Sequence, residues 1–381
     1  MPGVFDDLDL SPNDLELARQ ARAAGAGYLD LASSNPTRQG LIFPPEILAA
    51  AAADYWAARR YDPDPRGRPA ARAAIAAMYA ARTPALQLEA DAIFITASTS
   101  EAYSLLFALL ADPGDNLLAP NVTYPLFEYL AALRGVELRS YQLDATRNWA
   151  IDERSLRAAA DARTRAVLIV SPHNPTGMVV TQPVAALSTL GLPLICDEVF
   201  APFAIGLPHV PPVAALHPDL PVFTLDGISK RFALPDMKLG WIALNPPAHR
   251  WAARLELLND TFLGANGLSQ FMLPRLFAEG APFVQAMVER VRANLALAVE
   301  QFSGHPHIAA QMPAGGYYLF PAIGDHPDED ALAQRLLNHG ILVHPGYFYG
   351  DVPGTHLMLS ALTAPPTFAA GITRIGAALR T

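Results

Sequence analysis

Short runs of uninterrupted apolar residues alternate along this chain with longer stretches in which apolar positions recur every three or four residues. The runs are Ala92-Ile-Phe-Ile-Thr96, Asn116 to Ala119, Arg165-Ala-Val-Leu-Ile-Val170, Pro193-Leu-Ile-Cys-Asp197, Val222 to Leu225 and Trp241-Ile-Ala-Leu244. Each reads as a strand, and Arg165–Val170 is of the type buried on both faces in a parallel sheet. A further strand is predicted near 137–142. Helical spacing predicts helices over 12–24 (with Ser11 or Asn13 near its start), 45–59, 69–82, from Ser98 through Leu110, near 126–134 and near 153–160. Later helices are expected over 246–258, 264–278 and 280–302; Met, Val, Leu and Phe at helical spacing in the last two read as core and interface. Beyond residue 305 the pattern returns to strand and helix: Gly315-Gly-Tyr-Tyr-Leu-Phe320, Asp328 to His339, and Ile341 to Gly346.

Composition narrows the class. A chain of 381 residues is long enough for two domains with sizeable cores. Half of it is hydrophobic (51%), yet no apolar run reaches the length of a membrane span. The start is acidic, without a basic region or an apolar secretory core. One cysteine, Cys196, excludes an internal disulfide and suits a reducing compartment, so a cytoplasmic location is expected. A net charge of -9 with no basic cluster argues against nucleic acid as a partner. No Pro/Gly/Ser-rich linker cuts the chain, so a second domain is expected to be assembled from its two ends.

The candidate chemistry centres on Asp226-Gly-Ile-Ser-Lys230-Arg-Phe-Ala-Leu-Pro-Asp-Met-Lys238-Leu-Gly-Trp241. An apolar strand leads in and another leads out, which predicts Lys230 on a loop leaving a buried strand. Loss of hydration favours the neutral amine of a lysine so placed, and hence attack on a carbonyl. Lys238 adds a second cation that could hold an anion. Upstream, Ser171-Pro-His-Asn174-Pro-Thr-Gly177 follows one strand, and Asp197-Glu198-Val-Phe200 ends the next. An aspartate closing so apolar a run is costly to bury without a cation. Strand, then Ala97-Ser98-Thr99-Ser100, then helix is how a phosphate is held at a helix N-terminus; Ser98 or Thr99 acting as an N-cap is the alternative.

In order and spacing, these three segments resemble the signature of the class I/II pyridoxal-phosphate aminotransferases of fold type I, the aspartate aminotransferase-like group. The resemblance covers nearly the whole chain. It implies an α/β fold: a large domain over 45–280 with a mostly parallel seven-stranded sheet between helices, and a smaller α+β domain from 1–44 and 281–381. It implies that Lys230 holds the aldehyde of pyridoxal 5'-phosphate and then serves as general acid/base. Asp197 would lie at the pyridine nitrogen, Asn174 at the ring oxygen, and the Tyr124 ring against the pyridine face. Ser98, Thr99, Ser100, Ser229 and Lys238 would hold the phosphate, and Phe200 would line the ring. Tyr61 would reach the phosphate across a two-fold interface, so a homodimer with shared active sites is expected. Arg38, on the N-terminal segment crossing the site mouth, and Asn174 are substrate-binding candidates. No metal is expected.

Four departures from the family pattern stand out. Lys238 replaces an arginine and loses its bidentate fork; Gly227 replaces a serine; and Phe200 replaces a tyrosine, removing a donor to the ring oxygen. Met358, in His356-Leu-Met-Leu-Ser360, replaces the arginine that grips a substrate carboxylate, with Arg38 and Arg231 as possible substitutes. The expected activity is transfer of an amino group between an amino acid or amine and a 2-oxo acid by a ping-pong route. A lyase on the same scaffold and a non-catalytic regulatory protein that binds the cofactor remain the alternatives.

Overall fold

The computed structural model of the chain describes residues 5, 6 and 8–380. Its centre is a seven-stranded sheet built from β1 (Ile93–Thr96), β2 (Asn116–Pro120), β3 (Glu137–Tyr141), β4 (Thr164–Val170), β5 (Leu194–Asp197), β6 (Val222–Gly227) and β7 (Gly240–Leu244). The spatial order is β1-β7-β6-β5-β4-β2-β3. All neighbours are parallel except β7, which runs antiparallel to both β1 and β6. The apolar runs form strands because both faces are covered: Ala166 to Val170, Leu194 to Cys196 and Trp241 to Leu244 are all buried. Helices Pro69–Ala80 and Gly267–Glu279 pack on one side, and Thr99–Leu110 with Ala252–Thr261 on the other. A fully buried side chain such as Phe223 or Trp241 contributes about 1.5–3 kcal/mol, which makes this sheet the main store of hydrophobic stability.

This topology decides where chemistry can sit. The carboxyl ends of β1, β4, β5 and β6 all point to one edge of the sheet, the edge at which open α/β folds bind ligands. Because β6 and β7 are antiparallel neighbours, the segment joining them folds back over that edge. Both Lys230 and Lys238 lie in it. Lys230 is not on a loop, as its flanking strands predict, but in a one-turn helix, Ile228–Arg231. The turn forms because Ile228 and Phe232 are buried and fix its two ends against the core.

A second sheet orders Ile308–Ala309, Ala322–Ile323, Thr355–Ser360 and Tyr318–Leu319, with His344–Pro345 also on Thr355–Ser360. It has its own core around Phe302, Leu336, Leu357 and Phe368. The N-terminal segment joins this region: Leu29–Asp30 pairs in parallel with Ile341–Leu342. Residues 246–258 begin as a 3-10 segment, Pro246–Trp251, and become α-helical over Ala252–Thr261. Several elements lie outside the sequence expectations, among them a small hairpin (Leu143–Asp144 with Ala150–Ile151), the short helices Ala185–Leu190 and Val213–Leu216, and a last helix, Pro365–Ala378.

Candidate active site

Three buried carboxylates stand side by side at the strand ends, and they differ in one respect. Glu198, fully buried, is ion-paired to Arg82 and accepts a hydrogen bond from the Val213 amide at 2.8 Å. Asp226, also fully buried, is ion-paired to Arg231 and accepts from the Gly227 amide. Asp197 has no ion pair among the described residues. Its Oδ1 accepts from the Val199 amide at 3.0 Å and its Oδ2 from the Tyr103 hydroxyl at 2.7 Å. Burial pushes its acid up to about 6; Val199 and Tyr103 oppose the shift, Asp226 adds to it, and Lys230 opposes it more weakly. A protonated ring nitrogen is the kind of charge this carboxylate lacks.

Lys230 faces the same space. Its Nζ sits 5.9 Å from the centre of the Phe200 ring and 6.0 Å from that of Tyr317, with no hydrogen bond or ion pair among the described residues. Phe200 and Tyr317 meet edge to face at 4.8 Å, and Tyr317 packs on Tyr318 at 4.6 Å. Ser34, from the N-terminal segment, lies within hydrogen-bonding reach of both phenols. The amine therefore projects into an aromatic cleft with a buried acid on the neighbouring strand.

At the end of β1, Ser98 caps helix Thr99–Leu110 by accepting from the Glu101 amide, while Glu101 reaches back to the Ala97 amide. The pair is a variant of the capping box in which the returning bond falls on the residue before the N-cap. The N-cap alternative thus holds for Ser98, and the amides of Thr99 and Ser100 at the positive end of the helix have no partner among the described residues and can meet an anion. Gly240 lets β7 pass against this turn: a Cβ there would lie 2.9 Å from the Thr99 nitrogen. Gly227 has the same cause. A Cβ would meet the Leu239 carbonyl oxygen at 2.8 Å, so the serine usual in the family does not fit without displacing β7.

The remaining positions fall as follows. Asn174 ends the β4 segment with its Oδ1 buried and unpartnered, one of the orphan polar atoms a bound group would satisfy. Tyr124 follows β2 at 43% exposure, its ring edge-on to Phe127 at 5.9 Å. Ser229 is half-buried beside Lys230, and Lys238 is exposed with a left-handed backbone, φ 49. Tyr61 is 88% exposed, on a loop anchored to helix Ala252–Thr261 by Arg66–Glu256 and by Asn259 donating to the Pro65 carbonyl. Met358 is buried opposite His344 in the second sheet. Arg231 drops out as a substitute for the missing arginine, since Asp226 already holds it. Arg38 is exposed, its guanidinium without a partner among the described residues, in a groove shared with Ser33, Ser34 and His344.

Sequence reasoning missed Tyr103. It lies one helical turn beyond Thr99, and that i,i+4 spacing is the signal that would have turned it toward the same edge. A cavity of about 740 Å3 lies elsewhere, between the hairpin at 143–151 and the segments 176–184 and 311–314. No lysine lines it. Among the described residues no cluster of three or more His, Cys, Asp or Glu could hold a metal, and no helix is long and apolar enough to cross a membrane.

Fold and site together define an α/β protein of fold type I, with a strand-end lysine facing a buried acid. The chain belongs to the class I and II aminotransferase family, whose model matches residues 26–360. Members of this family use pyridoxal phosphate. The chain is 26% identical to alanine aminotransferase of Mycobacterium tuberculosis over 375 residues, 94% of this chain and 87% of that one. It is 35% identical to nicotianamine aminotransferase 1 of Oryza sativa over 220 residues, 56% of this chain; the match spans 44% of the rice protein's length. Among solved structures, an aminotransferase from Escherichia coli superposes with a TM-score of 0.87 at 25% identity, covering 100% of this chain and 98% of that one. Alanine aminotransferase from Pyrococcus furiosus superposes at 0.90 and 22% identity, covering 100% and 99%, a likeness of fold.

Proposed function

We propose that the protein is a pyridoxal-phosphate-dependent aminotransferase that moves an amino group between an amino acid or amine and a 2-oxo acid in two half-reactions. The observation that carries this reading is the pairing of an unengaged lysine amine with the one strand-end acid of the three that lacks a cation. When bound, the cofactor supplies an aldehyde and a ring that accepts charge from the substrate's α-carbon. Asp197, ionised, would hold the positive ring nitrogen. Asn174 and the Tyr124 ring would orient the ring, and Phe200 would line it. The free amides of Thr99 and Ser100, the hydroxyls of Ser98 and Ser229, and Lys238 fit the phosphate. Lys230 Nζ would hold the cofactor's aldehyde and, as a free amine, would move the proton at the substrate's α-carbon as general acid/base. Phe200, Tyr317 and Tyr318 keep water from that amine.

A homodimer belongs to the same reading. Tyr61, Leu257, Phe262 and Leu263 are 88, 70, 55 and 74% exposed on adjoining segments, an apolar surface that supports a contact placing Tyr61 in the partner's site. A lyase outcome is the second reading, favoured by buried Met358 where a carboxylate grip would stand. Purified protein should show the absorption of a lysine-bound cofactor, lost in Lys230→Ala. Conversion to the aminated cofactor by members of a panel of amino acids and amines then supports transamination. Ammonia released without any oxo-acid acceptor would instead mark the lyase. Full turnover by Lys230→Ala would overturn both readings.

A further inference from the structure

We infer that Tyr103 is a positioning residue for Asp197: its phenol fixes the carboxylate toward the ring-nitrogen position and helps keep it ionised there. The inference rests on the cofactor reading above. It is carried by the 2.7 Å hydrogen bond from the Tyr103 hydroxyl to Asp197 Oδ2, both groups buried. The Val199 amide holds Oδ1 from the other side, so the two bonds together select one carboxylate orientation.

Tyr103 is itself held. Its ring packs at 4.6 Å on Phe127 and at 5.9 Å on Phe107, and Phe127 in turn meets Tyr124. Among the described residues the hydroxyl has no other partner, so its one proton goes to Asp197. A donor to an ionised acid stabilises the charge; an apolar neighbour in its place would favour the protonated acid, which cannot pair with a positive nitrogen. The surroundings do not duplicate this role. Asp226 and Glu198 are acids already committed to arginines, the Cys196 thiol is pushed up by burial, and Lys230 is the cation on this side.

The test is Tyr103→Phe, which removes one oxygen and leaves the ring in place. Uptake of pyridoxal phosphate by cofactor-free protein is measured by fluorescence from pH 5 to 8. The variant is expected to bind about tenfold more weakly at pH 7, the size of one charge-assisted hydrogen bond. Its acid-side loss of binding should begin about one pH unit higher than in the natural protein. Without cofactor, urea unfolding over the same range should show the Asp197-dependent slope displaced upward by a similar amount. Superimposable uptake curves and slopes would overturn the inference while leaving the cofactor reading intact. Failure of the natural protein to take up the cofactor would remove the reading and the inference together.

Discussion

Replacing Asp197 by Asn should make the cofactor-free protein more stable and the cofactor-bound protein less so. The carboxylate is buried without a cation, and its acid rises from 3.8 to about 6. At about 1.4 kcal/mol per pH unit, that rise corresponds to about 3 kcal/mol against the ionised acid at pH 7. Asparagine keeps the local bonds, because its oxygen can accept from Val199 while the Tyr103 hydroxyl turns to accept from the amide. The sign follows from proton counting. Between about pH 4 and 6 the native state holds a proton that the unfolded chain has released, so the natural protein loses stability as pH rises through this window and stays level above it. The variant lacks this slope. Urea unfolding of the two apoproteins should therefore coincide near pH 4 and diverge to approach 3 kcal/mol by pH 7. Adding pyridoxal phosphate should reverse the order, since ligand binding stabilises in proportion to its affinity. Parallel curves between pH 4 and 7, or a less stable variant at pH 7, would refute the reasoning.

Other consequences are as direct. Arg82→Ala strands Glu198 without its cation and should cost about 3–5 kcal/mol in chemical unfolding; Arg82→Ala with Glu198→Gln should recover much of it. Gly227→Ser, although it restores a hydroxyl usual in the family, should destabilise by about 1–3 kcal/mol, because β7 has no room for the Cβ. If Arg38 supplies the carboxylate contact that Met358 cannot, Arg38→Gln should raise KM for amino acids about tenfold or more and leave simple amines unchanged in steady-state kinetics.

Much of the large sheet was legible because β4, β5 and β6 are continuous apolar runs that have no alternative to burial. The functional segments then follow from strand order, since Asn174, Asp197 and Lys230 all trail strands that end on one edge. What could not be read was pairing across the fold. Tyr103 and Asp197 are 94 residues apart, and Arg82 and Glu198 are 116, so no local pattern assigns them. Arg231 looked free for a different reason: its partner Asp226, only five residues away, reads as a strand residue until burial turns it into an acid in need of a cation. The final helix carried its own start signal, Pro365-Pro366, but the hairpin at 143–151 turns through Asn148 and Trp149 in left-handed conformations that no glycine advertises.

The Asn174 segment and the 203–206 turn beside it are both hydrogen-bonded through their backbones to residues 314–316, which lead into the second sheet. Gly315 donates to the Gly177 carbonyl and Gly316 to that of Phe203, while Ile205 and Gly206 both donate to Ala314. Side chains are shut out, for a Cβ on Gly177 would lie 2.3 Å from Pro313 and one on Gly315 2.8 Å from Pro172. A side chain introduced at Gly177 or Gly315 would therefore wedge the two regions apart at the point where the Asn174 turn is anchored, so these glycines set how closely the C-terminal sheet can sit over the strand-end edge.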